Sequence, residues 1–254
     1  MKIGITERGD AGIDFSWVDK VPGMNLTILI TKNINDTFRS HVLKLHELGH
    51  RLIVHATCTG WGGTFMEPNV PEYTAQLDSL RKLIDAGFPK EQCVLRIDPI
   101  IPATFDGING LDQVRNVISY AKELGLLPDI RVRVSIVDEY NHVKNRLTAR
   151  GFHMIYAPGR NYPGSQATLD VLHLLLDYPE ITFETCAEPY LPMKNIEGIG
   201  CVSEKDLALF GLKPDTNNLN PQNRFGCLCL AGKHELLTNK KQCPHKCMYC
   251  YWCN

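Results

Sequence analysis

No stretch of this 254-residue chain reaches the roughly 18 uninterrupted apolar positions of a membrane helix. Its first residues, MKIGITERGD, lack the charged and then apolar pattern of a secretion signal, so a cytoplasmic location and no membrane partner are expected. Neither charge is in surplus: 27 Lys and Arg stand against 28 Asp and Glu, for a net charge of −1. That balance removes any global pull toward nucleic acid or an anionic surface and leaves only a local patch open. Neither GxGxxG nor GxxxxGK occurs, so a nucleotide-binding sheet has no support from its usual phosphate loops.

What is present is an ordinary globular composition, 44% hydrophobic and 22% charged, in a chain long enough for a sizeable core. Short β-branched runs alternate with longer helical patterns, the βα rhythm of a parallel sheet. Strands are expected at Lys2–Thr6, Leu26–Thr31, Leu52–Ala56, Val94–Ile97, Val132–Val137 and Ile181–Glu184. Helices are expected at about 35–49, 71–87, 110–125, 140–151 and 166–178, several with glycine at the carboxyl end as a stop signal. Such units build a barrel or an open sheet, and the missing phosphate loops favour a partial (β/α)6 barrel. Residues 1–190 would form that barrel, and a cysteine-rich segment, 191–254, would pack on its mouth within one domain.

The chain has ten cysteines, four of them between 243 and 253, which in a reducing compartment argues for metal or redox use over disulfides. Cys243, Cys247 and Cys250 stand at C-x3-C-x2-C spacing in CPHKCMYC, with Tyr249 before the third. Three close thiolates suit an iron–sulfur cluster, which is normally held by four, so three ligands leave one iron open. Structural zinc is the competing reading, with Cys253 as a fourth ligand. A second set, Cys186, Cys201, Cys227 and Cys229, suggests an auxiliary iron–sulfur cluster or zinc. Cys58 and Cys93 sit alone, as small buried hydrophobes do.

C-x3-C-x2-C with an aromatic before the last cysteine resembles the signature of the radical S-adenosylmethionine superfamily. The resemblance implies a 4Fe-4S cluster whose open iron chelates S-adenosylmethionine. One electron, from a donor such as flavodoxin or ferredoxin, then splits that molecule into methionine and a 5′-deoxyadenosyl radical that abstracts a substrate hydrogen. The protein's share is orientation and exclusion of side reactions. LITKN, TGWGGTFMEPNVP, LRIDPI, VSIVDEY, ETCAE, the CxC pair and CPHKCMYCYW also resemble, in that order, an uncharacterised domain family of bacterial and phage proteins. The usual superfamily member carries its triad after the first strand. Here the triad comes near the end of the sequence, which implies a circularly permuted core. The ending CMYCYW is similar to that of the spore photoproduct lyase family, whose chemistry repairs a thymine dimer and hints at a nucleobase or nucleotide substrate in DNA.

In βα barrels the reacting groups sit after the strands, at the carboxyl face. Polar residues cluster there: Glu7 and Arg8, Lys32 and Asn33, Thr57 to Gly63, Asp98, Asp138 and Glu139, and Glu184 with Glu188. Glu7, Arg8, Asp98, Asp138 and Glu184 are the candidate catalytic residues. Lys32, His55, Thr59, Gly60, Arg96 and Tyr249 are the candidates for the cofactor, the cations because fixed donors beside a desolvated site hold anions well. Blander roles stand beside these: an Arg96–Asp98 salt bridge, Asp112 or Asp138 as a helix cap, and a simple tight turn for the glycines around Trp61. The 156–164 loop, YAPGRNYPG, could stack on a base or be plain surface. A small-molecule or nucleobase substrate is therefore expected. The rival classes are a non-catalytic zinc or cluster module, and a metal-dependent hydrolase or nuclease using Glu7, His55, Asp98, Asp138 and Glu184.

Overall fold

A computed structural model describes residues 1–152, 164–214, 226–238 and 243–251. Most of the 156–164 loop, together with Trp252 and Cys253, lies outside the described residues.

All six expected strands form: Ile3–Ile5 (β1), Leu26–Thr31 (β2), Leu52–Thr57 (β3), Cys93–Ile100 (β4), Arg131–Ile136 (β7) and Phe183–Thr185 (β8). A small antiparallel hairpin, Thr104–Phe105 (β5) and Ile108–Asn109 (β6), follows β4. Two further short strands, Ile196–Gly198 (β9) and Lys233–Glu235 (β10), complete an eight-stranded sheet of order β10-β1-β2-β3-β4-β7-β8-β9. Every ladder in that sheet is parallel. Among the described residues no ladder joins β9 to β10, so the sheet is open and no closed barrel forms. The segment after residue 190 supplies both edge strands of the sheet.

The five expected helices are Asp36–Glu47 (α1), Tyr73–Asp85 (α2), Gly110–Glu123 (α3), Asn141–Thr148 (α4) and Ser165–Leu176 (α5); a sixth, Glu204–Ala208 (α6), is too short to show a period. Asn35 caps α1 and Asn109 caps α3 through side-chain oxygens, so Asp112 is not the cap of α3.

Side chains alternate across the sheet. Leu52, Val54, Leu95, Val132 and Phe183 face outward and pack with Phe38 of α1, Leu80 of α2, Val117 of α3 and Leu175 of α5. The opposite face changes character along the strands. At their amino ends Ile3, Ile5, Leu26, Ile28, Ile53 and Val94 pack against Val202 and against Leu207 of α6, which plugs that half. At the carboxyl ends the same face is polar. The register sets Thr57 opposite Arg96, Arg96 opposite Arg133 and Arg133 opposite Glu184.

Beneath that level Arg131 grips the Glu184 carboxylate with two bonds, Nε to Oε1 at 2.8 Å and Nη2 to Oε2 at 2.9 Å. Arg131 also reaches Asp206 of α6 at 2.7 Å, and Arg133 reaches Glu184 at 2.8 Å. Burial alone would raise the Glu184 carboxyl, but the two guanidinium groups outweigh it and hold the carboxyl below its usual range.

Candidate metal centre

A cavity of about 220 Å³ opens at the carboxyl ends of the strands. Glu7, Arg8 and Asp10 line it from beyond β1, Lys32 from just after β2, Thr57 from β3, Arg96 and Asp98 from β4, and Arg133, Ser135 and Asp138 from β7 and just after it. Arg96 pairs with Asp98, which also accepts from the Ser135 hydroxyl. Seven cysteines line the same cavity: Cys186, Cys201, Cys227, Cys229, Cys243, Cys247 and Cys250. The two cysteine sets inferred from the sequence thus share one chamber.

The terminal loop is held down by residues far away in sequence. His245 Nε2 donates to Asp10 Oδ2 at 2.8 Å, and Nδ1 faces the Asn69 carbonyl at 3.0 Å. Both partners are acceptors, so the doubly protonated ring suits the site best. Burial pushes its pKa down, but the Asp10 carboxylate pushes it up further. Asp10 is itself fixed by Gly12 N–H and Thr31 Oγ at 2.7 and 2.6 Å on Oδ1, and by Lys32 N–H at 2.7 Å on Oδ2.

The segment after β3 supplies the other clasps. Asn69 Nδ2 donates to the Pro244 carbonyl at 2.6 Å, and Met248 N–H donates to the Met66 carbonyl at 2.9 Å. The Tyr249 hydroxyl donates to Glu67, which also accepts from Lys32 Nζ at 2.7 Å. Burial and the Glu67 charge raise the Tyr249 phenol well above its usual range. From α4, Arg146 donates to the Cys250 carbonyl. Cys247 and Tyr249 pack with Trp61, Met66 and, from α4, Val143 and Leu147.

The glycine stretch after β3 makes this clasp. Gly60 and Gly63 have φ of +83° and +77°, and a Cβ on Gly62 would lie 1.9 Å from the Pro71 carbonyl oxygen. The glycines therefore serve a tight turn, and neither Thr59 nor Gly60 lines the cavity.

The remaining candidates fall in three places. Glu7, Arg8, Asp98, Asp138, Lys32, Arg96 and Tyr249 line the cavity. Glu184 lies below it, gripped by Arg131 and Arg133. His55 is fully buried, its two ring nitrogens have no hydrogen-bond partner among the described residues, and burial followed by the charges of Arg133, Arg96 and Arg131 lowers its pKa well below the usual value. Among the described residues Glu7, His55, Asp98, Asp138 and Glu184 do not converge as a metal-holding group.

Cys186, Cys201 and Cys229 do converge: their sulfurs lie within 4.8 Å of one another and could hold a metal ion. Hydrogen bonding among these thiols holds the Cys229 thiol low and pushes the Cys186 thiol up, and Cys201 N–H donates to the Cys229 sulfur at 3.2 Å. In the terminal triad burial pushes the Cys243 thiol up to about 11 and raises Cys247 as well, so a metal must displace their protons to bind. Cys58 and Cys93 are buried singly, and desolvation takes each to about 12, as befits inert packing groups.

Asp10, Glu67, Asn69, Arg133 and His245 were not singled out from the sequence, although His245 lies inside the cysteine motif and Glu67 and Asn69 inside FMEPN. Their roles are contacts across 35 to 235 positions, which no local spacing announces.

Fold and site together define an α/β protein whose parallel sheet carries a cysteine-lined chamber at its carboxyl end, with one cysteine group able to hold a metal ion. A family model described as a domain of unknown function, DUF1848, matches residues 19–252, and the chain belongs to that family. No curated protein matches the chain.

Proposed function

We propose that the protein is a radical S-adenosylmethionine enzyme built on a circularly permuted partial (β/α)6 barrel, with Cys243, Cys247 and Cys250 as the ligands of a 4Fe-4S cluster. The observation that carries this is the place of β10. It pairs with β1 at Ile3↔Lys233, and the cysteine motif follows it in sequence. A strand followed by the cysteine loop therefore stands beside the next parallel strand, the order that the resembled superfamily has at its beginning. The donor set fits, because three soft sulfur donors line a chamber that Glu7, Arg8, Lys32, Arg96 and Asp98 also line.

When bound, the cluster would supply an open iron for S-adenosylmethionine and the electron that cleaves it. The chain's own residues do the rest. Lys32, Arg96 and Arg8 would hold carboxylate or phosphate oxygens, and Glu7, Asp98 and Asp138 would accept from amino or hydroxyl groups. Asp10, Glu67 and Asn69 would keep the cysteine loop in place and water out of its base. Tyr140 and Tyr251, with ring centroids 5.6 Å apart at the cavity wall, offer the aromatic surface that a nucleobase or nucleotide substrate would use. A flavodoxin or ferredoxin would deliver the electron.

The test is anaerobic reconstitution with iron and sulfide, dithionite reduction, and electron paramagnetic resonance with and without S-adenosylmethionine, followed by an assay for 5′-deoxyadenosine. A cluster signal that shifts with S-adenosylmethionine and formation of 5′-deoxyadenosine, both abolished in Cys247→Ala, are expected. A wild-type protein that binds zinc at the terminal triad and cleaves nothing would overturn the proposal.

A further inference from the structure

The second cysteine group has the dimensions of a single ion. Two sulfurs each about 2.3 Å from one tetrahedral zinc lie about 3.8 Å apart. Cys186 Sγ and Cys229 Sγ are 3.8 Å apart, and Cys201 Sγ lies within 4.8 Å of both. A cubane cluster bonds each thiolate to a different iron, which sets its ligand sulfurs wider apart than two bonds to one ion allow.

The backbone around the trio is built for this convergence. Cys186 follows β8, Cys201 follows β9, and Cys229 precedes β10, so three separate segments meet. A Cβ on Gly200 would lie 2.4 Å from the Leu228 carbonyl oxygen and 2.6 Å from Cys229 Cα. Only glycine lets these two segments touch, and the touch brings the sulfurs together. Leu230 N–H donates to the Val202 carbonyl at 2.9 Å, and Ala187 N–H donates to the Gly226 carbonyl at 3.1 Å, so all three segments are stitched to one another. Cys201 N–H points at Cys229 Sγ, 3.2 Å away, a donor that suits a sulfur carrying thiolate charge. Cys227, two positions before Cys229, lines the same cavity, with its sulfur outside the 4.8 Å group.

We infer that Cys186, Cys201 and Cys229, with Cys227 swung in by the ion as the fourth ligand, form a tetrahedral zinc site that staples the β8–β9 edge of the sheet to the segment leading into β10 and so fixes one wall of the chamber. The site is separate from the terminal triad and stands whether or not the protein cleaves S-adenosylmethionine.

Wild-type protein and a Cys243→Ala/Cys247→Ala/Cys250→Ala variant, produced with both iron and zinc and purified without oxygen, are assayed for metals by mass spectrometry and for acid-labile sulfide. About one zinc per chain is expected in both, with no sulfide in the variant. Cys201→Ser should lower bound zinc about tenfold, and Cys227→Ser should lose its zinc to a chelator about tenfold more readily than wild type. Cobalt substitution of the wild-type chain covers the case in which Cys201→Ser does not fold, and the intense visible bands of tetrahedral thiolate cobalt are expected. Iron with sulfide remaining in the triad variant, or weak octahedral cobalt bands, would overturn the zinc assignment. Unchanged zinc retention in Cys227→Ser would remove Cys227 from the site. Loss of 5′-deoxyadenosine formation alone bears on the radical chemistry and leaves the zinc result untouched.

Discussion

His245, midway between Cys243 and Cys247, is locked between the Asp10 carboxylate at 2.8 Å and the Asn69 carbonyl at 3.0 Å. Both partners of the ion pair are almost fully buried, at 2% and 3% side-chain exposure. The contact ties the cysteine loop to the turn after β1.

Removing one partner of a buried pair leaves an uncompensated charge, at a cost of about 3–5 kcal/mol. Asp10→Asn and His245→Leu should each lower unfolding stability by about that amount, and the double variant should cost clearly less than the sum of the two. Urea denaturation of the four proteins measures it. Additive losses would mean that the pair is not coupled.

Glu67 serves two donors at once, Lys32 Nζ and the Tyr249 hydroxyl. Glu67→Gln keeps the shape but leaves the Lys32 ammonium without its counter-charge, whereas Tyr249→Phe deletes one neutral donor. The first should cost about 3 kcal/mol and the second about 1 kcal/mol. Iron retained after reconstitution should fall in the same order. The reverse order would separate Glu67 from the holding of the loop.

Glu184 and Asp98 both stand in the ring of polar residues at the strand ends, yet only Asp98 lines the cavity. Glu184→Gln weakens its ties to Arg131 and Arg133 and should lower stability by about 3 kcal/mol. Asp98→Asn should leave stability within about 1 kcal/mol of wild type, since its pair with Arg96 is partly exposed, and act on S-adenosylmethionine cleavage instead. Thermal unfolding read beside the 5′-deoxyadenosine assay distinguishes the two. A stable Glu184→Gln protein without activity would reverse the assignment.

His55 gives the chain a pH signature. Burial and three nearby arginines keep its folded pKa well below 6.5, so the unfolded chain binds a proton that the folded chain refuses as pH drops below 6.5. Stability then falls as pH falls, by up to about 1.4 kcal/mol per unit from this residue. His55→Leu cannot take up that proton. Its stability relative to wild type should rise by about 1 kcal/mol as pH falls from 6.5 to 5.5, where the unfolded His55 is only partly protonated, in urea titrations. A difference that stays constant with pH would mean that the ring is already solvated or charged.

The sequence by itself determined six core strands and five helices, because β-branched runs such as LTILIT and the 3.6-residue spacing of α1, α2, α3 and α5 are local signals that burial on one face enforces. Its C-x3-C-x2-C spacing and CxC pair also marked cysteines as candidate metal ligands, and Cys186, Cys201 and Cys229 among them converge. β9, β10 and α6 escaped it, since three to five residues are too few to show a period. Only the tertiary structure decided that β10 lies beside β1, and that Cys186, Cys201 and Cys229 meet across three segments. It alone made Asp10, Glu67 and Asn69 the anchors of the terminal loop and turned Glu184 and His55 away from the cavity. Each of these depends on strand register and on contacts between residues distant in the chain. Such contacts come from packing the whole sheet and its buried charges, so no short run of residues encodes them.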